Sequence, residues 1–181
     1  AVGGVIQIFT RSGERGAPRV DAFAGVGSYG TREVGTGVSG GNAQWSYSAR
    51  GGYTESEGFS SRKGADPDKD GYRTSNFSGS LAFRPQQGHE IGVNALLNEQ
   101  RSWFDDQYSA AKGNIYGISR LNTYGIYSRN TLAERWTSTL RLSRSEDDSF
   151  QRFSLTNPPS NFQTNQNQFQ WQNDILLPLG Q

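Results

Sequence analysis

The residues best suited to chemistry are two runs of carboxylates. Asp66-Pro67-Asp68-Lys69-Asp70-Gly71 sets three acids at alternate positions ahead of a glycine that permits a tight turn. A hard cation that takes about six to eight oxygens from a compact loop is served by that spacing. The run departs from an EF-hand: Phe77 stands where the bidentate glutamate would be, and strands rather than helices are expected on either side. Further oxygens must come from elsewhere, and Trp103-Phe104-Asp105-Asp106-Gln107-Tyr108 brings the next acids. Calcium held jointly by Asp66, Asp68, Asp70, Asp105 and Asp106 is one reading. The other is that these acids solubilise exposed loops, with Arg62, Lys63, Lys69 and Arg73 neutralising them as surface pairs worth little.

Other reactive types point to no enzyme. Asp147 and Asp148 are adjacent, whereas a glycosidase needs two acids facing each other across a pocket, so a solvated loop is expected there. The one histidine, His89, sits in the turn-like stretch Gln86-Gln87-Gly88-His89-Glu90, and no G-x-S-x-G nucleophile motif accompanies it. The 181 residues contain no cysteine, which removes disulfides, zinc ribbons and thiol nucleophiles. A formal charge of +1 gives no electrostatic footprint for nucleic acid.

These side chains must be positioned by a chain of mixed character. Its mean hydropathy is strongly negative, yet Trp, Tyr and Phe make up 12% of it, which a disordered chain would not contain. No run approaches the ~20 apolar residues of a membrane helix. The dominant pattern has period two, which sends alternate side chains to opposite faces of a strand. Trp45, Tyr47 and Ala49 alternate with Ser46, Ser48 and Arg50, and Phe77, Gly79, Leu81 and Phe83 with Ser78, Ser80, Ala82 and Arg84. Ile91, Val93, Ala95 and Leu97 continue the pattern, as do Trp136, Leu140 and Leu142, and Phe169, Trp171, Ile175 and Leu177.

Eight strands are expected, near 19–28, 31–40, 43–55, 74–84, 90–102, 115–129, 134–146 and 165–177. Gly40-Gly41-Asn42, Pro85–Gly88 and Asn130–Ala133 read as short turns, and 56–73, 103–114 and 147–164 as long polar loops; the first link, Ser28–Gly30, is short. Long loops at one end and tight turns at the other, on two-faced strands, describe an outer-membrane barrel with lipid on its apolar face and a polar interior. A soluble sandwich is the competing all-β fold.

The segment before the first strand is Ala1-Val2-Gly3-Gly4-Val5-Ile6-Gln7-Ile8-Phe9-Thr10-Arg11. It resembles the end of the plug domain of TonB-dependent outer-membrane receptors, where Ala-(Ile/Val)-Gly-Gly-Val-(Ile/Val) closes in Thr-(Arg/Lys) just before the first barrel strand. The resemblance implies that residues 1–16 end the plug and that 17–181 are the first eight strands of a barrel of about 22 strands, an antiparallel transmembrane β-barrel portion in the outer membrane of a Gram-negative bacterium. It further implies contact with outer-membrane lipid, energisation by TonB through the rest of the plug, and uptake of a large scarce nutrient. Loops 56–73, 103–114 and 147–164 become extracellular.

Within that family the acidic runs are similar to those of the cobalamin receptor, which has an Asp-x-Asp-Gly-aromatic step in its second loop and an Arg-x-x-aromatic-Asp step in its third. The matching residues are Asp68, Asp70, Gly71 and Tyr72, then Arg101, Phe104 and Asp105, with Asp66 and Asp106 as further acids. Phe104 replaces a tyrosine, which leaves its carbonyl as the oxygen it could offer. A corrinoid is thereby favoured over a ferric siderophore, with calcium ordering the loops. Arg50, Arg84 and Arg141 would point inward, either bonding to the plug or guiding an anionic substrate.

Two alternatives remain open. One is a self-contained eight-stranded outer-membrane barrel with a structural or adhesion role, against which stand the plug-like prefix and a final Leu179-Gly180-Gln181 in place of a terminal aromatic. The other is a soluble carbohydrate-binding β-domain. The missing initiator methionine suggests a mature or truncated piece, whose first and last strands would aggregate or oligomerise if left unpaired.

Overall fold

A computed structural model describes residues 16–60, 68–105, 115–153 and 158–177. Eight strands form one sheet: β1 (Gly16–Gly27), β2 (Thr31–Gly41), β3 (Trp45–Phe59), β4 (Asp70–Gln86), β5 (His89–Trp103), β6 (Tyr116–Ala133), β7 (Trp136–Arg152) and β8 (Ser160–Ile175). Each is antiparallel to its neighbours in sequence, so the sheet is an uninterrupted meander with β1 and β8 at its edges.

The strands are longer at the loop end than the sequence pattern suggested. Residues 56–59 and 70–73 extend β3 and β4, and 147–152 extend β7, so the expected loops at 56–73 and 147–164 are each shorter than read. Ladder hydrogen bonds do not require an apolar face; they persist where the alternation has already become polar. The turn expected at Asn130–Ala133 lies instead at Glu134-Arg135, because β6 stays paired with β7 through Ala133↔Trp136. Likewise β2 continues to Gly41, and the turn is built on Asn42, whose Oδ1 accepts from the backbone N–H groups of Gln44 at 2.9 Å and Trp45 at 2.8 Å. A single Asx side chain thus supplies the acceptors that fix this hairpin.

Cross-strand partners share a face. Tyr47, Leu81, Val93, Ile126, Leu142 and Phe169 are successive partners from β3 to β8 and form one apolar row. The next row, on the other face, is Ser48, Ser80, Asn94, Gly125, Ser143 and Gln168. Direct hydroxyl contacts cross this polar face, Ser48 to Ser80 at 2.7 Å and Thr123 to Ser145 at 3.2 Å. The polar face is the more enclosed one, holding Ser46, Ala82, Gly92 and Thr139 buried.

Among the described residues, no second layer covers the apolar face. Ala82 and Ile115 are the only buried hydrophobic side chains among the described residues, while Leu142 is 55% exposed and Phe169 65%.

The apolar face is a band with a sloping boundary. The continuous apolar run that starts at the turns ends at Val26 on β1, then Val34, Tyr53, Phe77, Leu97, Tyr124, Leu142 and Phe169 on β2 to β8; beyond it on the same face Trp103, Tyr116, Ile118 and Phe150 stand among charged residues. Against the registers that edge advances toward the turns by about one residue per strand, or ~3.3 Å of rise for each ~4.8 Å of spacing, so the strands incline by roughly 35–40° to the band. On β3 the band runs from Trp45 to Tyr53, about nine residues, the length with which a tilted strand crosses a hydrocarbon layer.

One irregularity positions the loop end. The β3–β4 register shifts between Ser56 and Phe59, and Gly58 there has φ +70°. A Cβ at Gly58 would collide with the Asp70 carbonyl oxygen. Gly58→Ala is expected to destabilise by about 1–3 kcal/mol through the left-handed backbone and the clash. Gly51→Ala, whose added methyl meets only the Asn76 carbonyl at 3.8 Å, should fall within about 0.5 kcal/mol of the parent. Denaturant unfolding in detergent micelles distinguishes the two.

Candidate functional site

The loop end of β3, β4 and β5 brings the acidic runs into one neighbourhood. Tyr72 is paired with Ser102, Asp70 lies two residues beyond Tyr72, and Phe104 two beyond Ser102. Register alone therefore sets Asp68 and Asp70 at the same end of adjacent strands as Phe104 and Asp105. Asp68 is exposed, and Asp70 and Asp105 are half-buried. Asp66 and Asp106 lie outside the described residues. Among those described, no three carboxylate or imidazole groups converge.

The surroundings are ordered by specific contacts. Gly71 is buried where a Cβ would stand 2.5 Å from the Ser56 carbonyl oxygen, so only glycine lets β4 approach the β3 bulge this closely. Lys69 Nζ donates to Glu57 Oε2 at 2.5 Å, clasping the start of β4 to the end of β3. The Arg73 guanidinium lies 5.4 Å from the centre of the Trp103 ring, and that of Arg101 lies 5.3 Å from Tyr116. Phe104 donates its N–H to the Ile115 carbonyl at 3.3 Å and sets its ring 6.1 Å from Phe153. A hollow of about 430 Å³ lies between Arg32, Glu55, Glu57, Lys69, Arg73 and Trp103.

Beyond the sloping edge the apolar face turns ionic. Glu55 lies 4.0 Å from Arg32 and 3.9 Å from Arg73; Arg120 binds Glu99 at 2.6 Å and approaches Asp148 at 3.9 Å; Arg144 binds Glu146 at 2.7 Å. Each pair is solvent-exposed and contributes little stability alone. Together they set the continuous apolar run off from a mixed zone in which Trp103, Tyr116, Ile118 and Phe150 stand among charged side chains. At the turn end the same face carries aromatics with polar handles. Trp171 Nε1 donates to Ser138 Oγ at 3.0 Å, Trp136 Nε1 to Asn173 Oδ1 at 2.9 Å, and Trp45 stacks on Phe83 at 4.4 Å.

Asp147 and Asp148 fall within β7 rather than in a loop, and alternation sends them to opposite faces, with Asp148 toward Arg120. They form no paired-carboxylate site. His89 Nδ1 contacts Asn130 Oδ1 at 2.9 Å, joining β5 to β6. Arg50, Arg84 and Arg141 do lie on the polar face: Arg50 binds Asp21 at 2.7 Å and Arg84 binds Glu90 at 2.5 Å. Glu90, Tyr127 and Arg129 share that neighbourhood with Arg84 and Arg141, which the sequence did not reveal, because proximity across three strands depends on register.

No protein-family model matches this sequence, and no curated protein matches it significantly.

The Lys69 clasp is testable through Glu57. Its hydrogen bond to Lys69, helped by the ammonium charge, lowers the Glu57 pKa from its ordinary 4.5. For a depressed carboxylate the contact is fully present above the ordinary pKa and is lost as pH falls through the lowered one. Lys69→Ala should return the Glu57 titration to the ordinary value, read from its side-chain carboxyl 13C shift between pH 2 and 6.

Proposed function

We propose that this chain is the first part of the barrel of a TonB-dependent outer-membrane receptor, with residues 1–16 ending its plug. The observation that carries this reading is a meander whose apolar face has no partner among the described residues and whose continuous apolar run ends on a slope. Its inclination of roughly 35–40° falls where strands of transmembrane barrels lie, at about 35–45°. Lipid is the medium that such a band fits. The polar face with its hydroxyl ladder suits an interior occupied by water or a plug, and the aromatics at the turn end suit an interface girdle.

The receptor assignment rests on the Ala1–Arg11 resemblance and on the loop acids at matching positions. In the parent protein the substrate, a corrinoid in preference to a ferric siderophore, binds at the extracellular loops and the upper plug, and TonB remodels the plug. Calcium bound by Asp68, Asp70 and Asp105, with Asp66, Asp106 and the Phe104 carbonyl, would clip the second loop to the third. The chain itself supplies wall, loops and clip rather than catalysis.

The deciding measurement is the mass of the polypeptide in purified outer membranes, detected with an antibody raised against residues 57–73. A band of roughly 600 residues, enough for about 22 strands and a plug, is expected. A band near 20 kDa in that fraction would sink the receptor reading in favour of a small self-contained barrel, and recovery in the soluble fraction would sink both.

Two substitutions probe the finer points. Leu81→Arg, in mid-band, should cost about 2–4 kcal/mol in folding into vesicles, whereas Ser78→Arg on the polar face should cost far less. Asp70→Asn combined with Asp105→Asn should abolish a calcium-dependent change in tryptophan fluorescence of the intact protein; an unchanged titration would remove the calcium clip.

A further inference from the structure

The polar face carries an imbalance of charge near its turn end. Two adjacent rows cross there. In one, Arg84 of β4, whose backbone N–H donates to the Gln44 carbonyl and whose guanidinium donates to Ser46 Oγ, is followed by Glu90 of β5, Arg129 of β6 and Thr139 of β7, with Glu90 directly opposite Arg129 and Arg129 opposite Thr139. In the next row Ser46, Ala82, Gly92, Tyr127 and Arg141 are successive partners.

Glu90 has both oxygens engaged away from Arg129. Oε2 takes Arg84 Nε at 2.5 Å, and Oε1 accepts the Tyr127 hydroxyl at 2.7 Å. Arg129 and Arg141 are in no ion pair with any described carboxylate. Three guanidiniums and one carboxylate, already engaged by Arg84 and Tyr127, therefore line a hollow of about 220 Å³. Ser46, Ala82 and Thr139, all buried, line it together with Ser80, so small side chains border the hollow that the arginines also line. Arg129 and Arg141 sit diagonally across β6 and β7, both exposed, and an anion held between them would offset the repulsion of their like charges.

We propose that this hollow is an oxyanion site, in which Arg129 and Arg141, with Arg84 beside them, hold a carboxylate or phosphate group on the polar face. Planar guanidiniums offer paired N–H donors that match either group. The same chemistry has two sources, a free anion or an acidic side chain from another part of the polypeptide seated against this face. The site does not depend on the receptor reading, since any barrel with this polar face inward would present it.

Two arms on the purified protein in detergent separate the sources. In the first, inorganic phosphate is titrated and followed by 31P line broadening. Saturable binding that weakens about tenfold or more in each of Arg129→Gln and Arg141→Gln, and strengthens in Glu90→Gln, identifies a free-anion site. In the second, Arg129→Lys and Arg141→Lys are treated with a carbodiimide and the amide cross-links mapped by mass spectrometry. A link to a carboxylate other than Glu90 identifies an internal acid as occupant, with phosphate then excluded from the wild type. Arg50→Lys serves as a positive control, because it should couple to Asp21. Failure of phosphate to bind, together with no cross-link beyond Glu90 while the control couples, overturns the proposal.

Discussion

One constraint organises the structure, an apolar sheet face that no other described element covers. Globular domains bury each apolar face against another element of their own chain. Here Val93, Ile126, Leu142 and Phe169 stand side by side with no described side chain above them, while serines, threonines, asparagines and glutamines carry the enclosed face. A contiguous exposed patch of this extent identifies an interaction surface. Backbone satisfaction points the same way, because a meander pairs every interior strand and confines unpaired groups to β1 and β8.

The slope of the band turns this constraint into geometry. A planar interface in register with the rows would give an edge at one level on every strand. The end of the continuous apolar run instead advances by about one residue per strand, from Val26 to Phe169, so the strands are inclined to that run. Beyond it, the Arg120–Glu99 and Arg144–Glu146 pairs use the same outward positions that leucine and valine use lower on the strands. Strand pairing thus continues from the apolar run into the charged zone, and side-chain chemistry changes along the same face where pairing does not.

The same alternation divides the functional surfaces. Loop acids and the Lys69 clasp gather at one end, held there by the Gly58 bulge and the close approach at Gly71. The arginine hollow lies at the other end, on the enclosed face. The two sites are separated along the strands, so each is open to test without disturbing the other.

The sequence by itself determined the class of fold and both faces: period-two alternation named eight strands, all of which form, and placed Arg50, Arg84 and Arg141 on the polar side. It did so because face assignment needs only local alternation. Strand ends were less legible, since β3, β4 and β7 run past the apolar pattern on backbone pairing, which side-chain chemistry does not encode; the misplaced Asn130–Ala133 turn and the reading of Asp147-Asp148 as loop share that cause. Only the tertiary structure decided the register. Register sets Asp70 beside the strand leading to Phe104, puts Glu90 between Arg84 and Arg129, and reveals the sloping edge. Each of these relations joins residues far apart in sequence, and a shift of pairing would undo it while leaving every local pattern unchanged.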